Sequence, residues 1–237
     1  MTQKSKRSRE IAKHFQKERF YSLEEAIEVL KNCPSLKFDQ SVDVALKTGV
    51  DMRKSDQQIR GVVSLPHGTG RNVVLVVFAK GDKAKEALNA GAQYVGGEEL
   101  IEKVKSGWIG FDGVIATPEM MKGVGTLGKI LGPRGLMPTP KAGTVTLDVA
   151  KAVTEVKGGK IEFKGDKNGV INTIVGKLSF EKDKIRDNVR AFIEAIVRAK
   201  PHSAKGEYLR TLYLTSTMGP GLRVDLGSVC GLQGAES

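Results

Sequence analysis

The sequence predicts an α+β domain, with an antiparallel sheet and helices on one face, that is interrupted by an inserted α/β domain. Three observations predict it. Stretches of period-two alternation stand near both ends of the 237-residue chain, at "FDQSVDVALKTGV" and "YLRTLYLTST". Between them lies "VVLVVFA", a continuous β-branched run of the kind shown by a strand covered on both faces, followed by segments of helical spacing. Clusters of turn formers, "PHGTGRN" at 66–72 and "KGGK" at 157–160, separate the middle from the ends.

Each element has a local reason. Ser22-Leu23-Glu24-Glu25 is a capping box; Leu23, Ala26, Ile27 and Leu30 then form one helical face, and Pro34 ends the segment. Phe38, Val42, Val44 and Leu46 sit at even spacing opposite Lys37, Asp39, Ser41 and Asp43, which predicts a half-buried strand. "IRGVVSL" is a further strand. In the middle, "KGDKAKEALNAGA" reads as a helix after Gly81, "YVGGEELIEKVKSGW" as a turn and a helix, Val114 to Ala116 as a buried strand, and "LDVAKAVTEVKGG" as a helix ending at Gly158 and Gly159. Strands alternating with helices argue for βαβ units on a parallel sheet, a three-layer, Rossmann-like arrangement. Beyond it, "KIEFKGDKNGVINTIVGKLSF" reads as a hairpin turning at Lys167-Asn168-Gly169. Ile185, Val189, Phe192, Ile193 and Ile196 mark a long amphipathic helix. The expected domains are therefore 1–67 with 160–237, and 68–159 inserted. Pro66, Gly68 and Gly70 on one crossing and Gly158 and Gly159 on the other would form a double hinge.

Lys and Arg total 38 against 27 acids, a net charge of +11, which predicts affinity for polyanions. The longest apolar run, Val73 to Ala79, is too short for a spanning helix, which needs about 20 residues. The basic N-terminus has no apolar stretch to act as a signal, so the expected setting is cytoplasmic and reducing. Cys33 and Cys230 are far apart and form no disulfide framework, and His14, His67 and His202 have no neighbours at metal-ligand spacing. No metal and no cofactor are expected. Residues 4–19 carry seven cations and two acids: either a solvated arm or an arm lying on phosphate.

"KGVGTLGKILGPRG", Lys122 to Gly135, fits two nucleotide-loop patterns superficially. A phosphate loop needs a buried strand running straight into it and a helix starting at once. Here Thr117 to Lys122 intervene, Ile130 stands where a magnesium-binding hydroxyl would, and Pro133, Pro138 and Pro140 forbid a crossover helix. What remains is a stiff surface loop with Lys129, Arg134 and Lys141 and no acid, suited to a phosphate backbone. No Ser/His/Asp cluster, G-x-S-x-G or H-E-x-x-H motif is present, so no catalytic residue is assigned and the protein is not expected to be an enzyme. A phosphate- or nucleotide-binding enzyme using the inserted domain is the alternative, and a general RNA chaperone is a second.

In "YLRTLYLTST", Thr211, Thr215 and Thr217 share one face of an extended chain. Such hydroxyls suit RNA, whose wide minor groove displays 2′-hydroxyls; plain strand propensity explains threonines equally well. Gly219 would let the chain approach a sugar–phosphate backbone. "GKILGPRGLMPTPKAGTV", together with "RGVVSLPHGTG" and "LTSTMGPGLRVD", resembles the bacterial large-subunit ribosomal proteins numbered one, in register from about residue 4 to Asp225. Leu226 to Ser237 departs from the pattern and is expected to be disordered. The resemblance implies a split domain that binds large-subunit ribosomal RNA and builds the mobile stalk beside the tRNA exit site. It also implies weaker contacts from the inserted domain and repression through a similar site in the leader of the protein's own messenger RNA. The implied contacts centre on Thr217, Met218 and Gly219, with Lys37, Phe38, Thr211, Asp166, Lys167 and Asn168; Ser41 and Thr215 join them on the same strands. Phe38 could equally be a core residue beside Val42. The expected partners are ribosomal RNA, the messenger leader and tRNA; no membrane is expected, and the free protein is expected to be a monomer.

Overall fold

A computed structural model describes residues 6–230 except Lys17, Ser35 and Lys205. The chain divides into two compact units, Met1–Gly70 with Ile161–Ser237, and Arg71–Lys160. The split unit opens with α1 (Lys6–His14), β1 (Phe20–Tyr21), α2 (Leu23–Lys31), β2 (Ser41–Thr48) and β3 (Arg60–Ser64). The inserted part is β4 (Leu75–Phe78), α3 (Asp82–Asn89), β5 (Tyr94–Gly96), α4 (Glu98–Lys105), β6 (Gly113–Ala116), α5 (Met121–Gly125), α6 (Gly128–Leu131) and α7 (Val149–Lys157). The chain returns through β7 (Lys160–Lys164), β8 (Val170–Lys177), α8 (Lys182–Arg198), β9 (Leu209–Ser216), β10 (Leu222–Val224) and α9 (Leu226–Cys230).

The split unit is built on a five-stranded sheet of order β1-β10-β9-β2-β8. Strand β9 is central, and β2 lies between β9 and β8, antiparallel to both. One face is covered. Leu23, Ala26, Ile27 and Leu30 of α2, and Ile185, Val189, Phe192, Ile193 and Ile196 of α8, pack on Val42, Val44, Leu46, Ile171, Val175, Leu212 and Leu214. Each such side chain contributes about 1.5–3 kcal/mol on burial, so this layer is the main source of the unit's stability. Helix α2 starts as its sequence dictates: the Ser22 hydroxyl accepts the Glu25 N–H at 3.2 Å, and the Glu25 carboxylate accepts the Ser22 N–H.

Several expectations are corrected. The even-spaced run does not extend to Phe38: β2 begins at Ser41, Phe38 is 53% exposed, and the buried residue ahead of Val42 is Gln40. The segment 160–180 is not a simple hairpin. Asn168-Gly169 does turn the chain, but β7 pairs with β3 while β8 joins the main sheet, leaving one bridge, Gly165 to Ile171, between the two arms. The sheet is not wholly antiparallel, because β1 and β10 pair in parallel. The start of the C-terminal segment is ordered as α9: Val229 is buried, and the Ser228 hydroxyl accepts the Leu23 N–H at 3.3 Å. Residues 231–237 lie outside the described residues, as do positions 4, 5 and 17 of the basic arm. Cys33 is a buried free thiol.

In the inserted unit, three parallel strands stand in the order β5-β4-β6. Leu75 and Val77 of β4 pack on one side with Ala87 of α3 and Val149 and Val153 of α7. Val76 and Phe78 pack on the other with Ile101 and Val104 of α4, Val124 of α5 and Leu131 of α6. Helices therefore lie on both faces, which is why β4 reads as an unbroken apolar run. Tyr94–Gly96, expected as a turn, is the short edge strand β5.

A buried polar group ties the end of the first crossing to the split unit. Asn188 on α8 is fully buried; its Oδ1 accepts the His67 N–H at 3.1 Å, and its Nδ2 donates to the Gly68 carbonyl at 2.9 Å and the Val175 carbonyl at 2.7 Å. Replacing it strands three backbone groups at once. Asn188→Ala is expected to lower unfolding stability by about 3 kcal/mol, read from urea denaturation, whereas a loss under about 0.5 kcal/mol would show that these bonds do not matter.

Candidate nucleic-acid interface

Among the described residues, no helix covers the second face of the five-stranded sheet. Strand register sets what it displays. Thr211, Tyr213 and Thr215 of β9 stand opposite Lys47, Ala45 and Asp43 of β2, and those residues face Val170, Asn172 and Ile174 of β8. Beyond β9, Arg223 of β10 lies opposite Tyr213 and next to Phe20 of β1, over whose ring its guanidinium sits at 4.2 Å. Tyr213, Ile174 and Phe20 are 39%, 38% and 55% exposed. Lys47, Lys177 and Arg223 make the surface cationic. Asp43 is the acid in its midst; burial pushes its carboxyl above the usual range, partly offset by the positive charge of Lys177.

One end of this face is a locked pair of loops. Past β9, the Thr217 N–H donates to the Ser41 carbonyl at 3.1 Å, and the Ser41 N–H donates to the Thr217 hydroxyl at 3.0 Å. The Ser41 hydroxyl accepts from Lys177 Nζ at 3.0 Å. Gln40 holds both neighbours: its Oε1 accepts the Met218 N–H at 3.1 Å, and its carbonyl accepts the Leu178 N–H at 2.8 Å. Met218 is thus pinned by its backbone while its side chain is 55% exposed, beside the exposed Phe38 and Lys37 loop. Gly219 has an internal reason to lack a side chain, since a Cβ there would come within 2.2 Å of the buried Ser216 Oγ. The Thr217 hydroxyl, expected as a free contact group, is first of all a latch on Ser41.

The other end holds the turn. The Asp166 carboxylate accepts the N–H groups of Asn168 and Val170, both at 2.8 Å, so it shapes the turn while Lys167 and Asn168 remain exposed. Thr211 lies at this end, across from Lys47. Ser41 and Lys47 are six positions apart on β2, about 20 Å of extended chain. The structure therefore places Lys37, Phe38, Ser41, Thr215, Thr217, Met218 and Gly219 together, and Asp166, Lys167, Asn168 and Thr211 together. The open sheet face joins the two groups.

In the inserted unit, the glycine-rich stretch is not the loop expected from its sequence. Residues 121–131 form α5 and α6, and Val124, Leu127 and Leu131 are buried. Gly123 allows close packing: a Cβ there would lie 2.6 Å from Ile101 Cδ1. Its amides are spent within the helices, for example Thr126 N–H to Gly123 O and Gly132 N–H to Gly128 O, so they form no phosphate cradle. Lys129, Arg134 and Lys141 are exposed, and no ion pair among the described residues engages them. Pro66, Gly68 and Gly70 all belong to the split unit, where a Cβ on Gly70 would meet the Phe180 ring at 2.8 Å. Gly158 caps α7 and Gly159 adopts a φ of 101°, both in the inserted unit.

The sequence model described as the "Ribosomal protein L1p/L10e family" matches residues 29–220. The chain belongs to that family. It is similar to the large ribosomal subunit protein uL1 of Protochlamydia amoebophila, 63% identical over 226 residues, covering 95% of this chain and 96% of the relative. The proteins of the same name from Chlamydia caviae and Chlamydia pneumoniae are 57% and 56% identical, each over 95% of this chain and 97% of the relative. The resemblance read from the three motifs is thereby borne out.

Within this L1p/L10e chain, sequence reasoning missed Gln40, Asp43, Tyr213, Lys177 and Arg223. The last four were legible in principle, since each alternates with a buried neighbour on its strand. Gln40 gave no such signal; a lone amide between the alternating apolar positions Phe38 and Val42 looks like an interruption. Because the folded state raises the Asp43 pKa, it binds the proton more tightly than the unfolded chain does. The carboxylate therefore costs stability once pH rises through and above the usual carboxylate range. Asp43→Asn is expected to raise the thermal midpoint at pH 7 and to converge with the parent in strong acid; a lower midpoint at pH 7 would contradict this.

Proposed function

We propose that the protein is a non-enzymatic constituent of the large ribosomal subunit, binding large-subunit ribosomal RNA through the open sheet face of its split unit. The observation that carries this reading is an uncovered sheet face bearing lysines, an arginine, hydroxyls and exposed Tyr213, bounded at both ends by rigid polar turns. Family membership and the names of the relatives support the same assignment. The mode is contact with backbone and 2′-hydroxyls over a folded element, with Lys37, Lys47, Lys167, Lys177 and Arg223 on phosphate and the threonines and Asn168 on sugars. Phe38 and Met218, exposed on a fixed loop, supply apolar contact to an unstacked nucleotide. Lys129, Arg134 and Lys141 give the inserted unit a weaker phosphate contact. The same face would recognise the leader of its own message where that leader presents a similar fold.

Two chain crossings, at 70–71 and 160–161, connect the units, and they support a stalk that swings beside the tRNA exit site and contacts departing tRNA. Spin labels placed on α8 and α7 of the free protein are expected to report more than one distance; a single narrow distance would argue against a hinge.

The logarithm of the affinity for ribosomal RNA should fall linearly with log salt. Lys47→Gln, Lys177→Gln and Arg223→Gln should each reduce the slope by about 0.7–0.9 for every phosphate that the cation had neutralised. Thr217→Val should weaken binding by roughly tenfold, and Thr217→Ser should retain most of it, because serine keeps the acceptor for the Ser41 N–H. Slopes unchanged in all three cation variants would remove the sheet face from the interface.

A further inference from the structure

Helix α1 rests against the Thr217–Gly219 loop in an unusual way. None of its residues is fully buried. Arg7 and Ile11 of α1, and Phe15 just past its end, at i, i+4 and i+8, are half-buried, and Phe15 packs against the core. Arg7 Nη2 donates to the Met218 carbonyl at 3.4 Å, and its Nε is buried without a hydrogen-bond partner among the described residues. Met218 is thus held by its carbonyl from α1 and by its N–H from Gln40. Lys6, Arg9 and Lys13, at i, i+3 and i+7, lie within about 60° of one another on another helix face, and all are exposed. They span about 10 Å along the axis.

We propose that α1 is a phosphate clamp: its Lys6–Arg9–Lys13 stripe takes the backbone of an RNA segment flanking the element read by the sheet face. Arg7 acts as the positioning residue that fixes the stripe beside Met218. This rests on the RNA-binding role proposed above for the sheet. Charge complementarity selects the occupant. The stripe is cationic and carries no large apolar residue, since Ile11 and Phe15 are half-buried and fall on a different face of the helix; a membrane-surface helix needs such residues on its outer face. Contacts of this kind position and add affinity but read no sequence.

The test uses the full chain and a large-subunit ribosomal RNA transcript, with an unrelated folded RNA as comparison. The triple variant Lys6→Gln, Arg9→Gln, Lys13→Gln should stay folded at the assay temperature, read from its circular dichroism. Its salt slope should drop by about 2, and it should bind both RNAs roughly tenfold more weakly with the preference between them unchanged. Arg7→Met, which keeps the stripe but releases the anchor, should lose part of the same slope. If the parent binds the transcript and the triple variant has the parent's slope, the clamp is overturned while the sheet-face reading stands. If the parent itself shows no salt-dependent binding to the transcript, the sheet-face reading fails, and the clamp with it. Binding of the parent, but not the triple variant, to phosphatidylglycerol vesicles, with an unchanged RNA slope, would assign the stripe to an anionic membrane instead.

Discussion

The register of β9 against β2 is the constraint on which the rest depends. Side chains alternate along a strand, so a slip of one residue would turn Leu212 and Leu214 outward and drive Thr211, Tyr213 and Thr215 into the helical layer. The helices α2 and α8 forbid that by burying Val44, Leu46, Leu212 and Leu214 together. Hydrogen bonds at both strand ends add local fixings. The Thr48 N–H and hydroxyl both reach the Gly169 carbonyl at 2.8 Å, and the Gly49 N–H reaches the Tyr208 carbonyl at 2.8 Å. At the far end, Thr217 and Gln40 close the loops. One hydrophobic layer thus holds the open face in place from behind, and two sets of hydrogen bonds set the turns that border it.

That arrangement suits recognition of a shaped polyanion. A flat face backed by a packed core loses little conformational entropy on binding, and the Thr215 and Thr217 hydroxyls are already held by the Ser216 carbonyl and the Ser41 N–H. The cations are spread over neighbouring strands and surrounding loops, so they meet a surface of charge and not a point. Asp43 is the exception. Partial burial raises its pKa above the usual carboxylate range, and the positive charge of Lys177 partly offsets the rise.

Much of the fold was legible because burial on one face leaves a period in the sequence. The alternation in 208–215 and the five apolar positions of α8 map directly onto the covered side of the sheet. The unbroken run at β4 likewise reported burial on both faces. Other features left no such trace. Strands β1 and β10 are too short, at two and three residues, to show a period. Asn168-Gly169 specified a turn but could not say that its arms would pair with different partners, since β3 and β2 lie more than a hundred residues away in sequence. The helical packing of Leu127 and Leu131 was masked by the prolines and glycines around them. In the candidate site, the hydroxyl-bearing strand could be read, whereas the latch between Thr217 and Ser41 and the bridging amide of Gln40 arise only when distant segments meet.

The central claim is that RNA lies on the uncovered face of the sheet, and a placed photo-crosslinker tests it most directly. A benzophenone side chain at position 213, in the middle of that face, is expected to form an adduct with large-subunit ribosomal RNA. The same group at position 194, on the solvent side of α8 behind the sheet, is expected to form none. An adduct from position 194 with none from position 213 would place the RNA on the helical side and contradict the assignment.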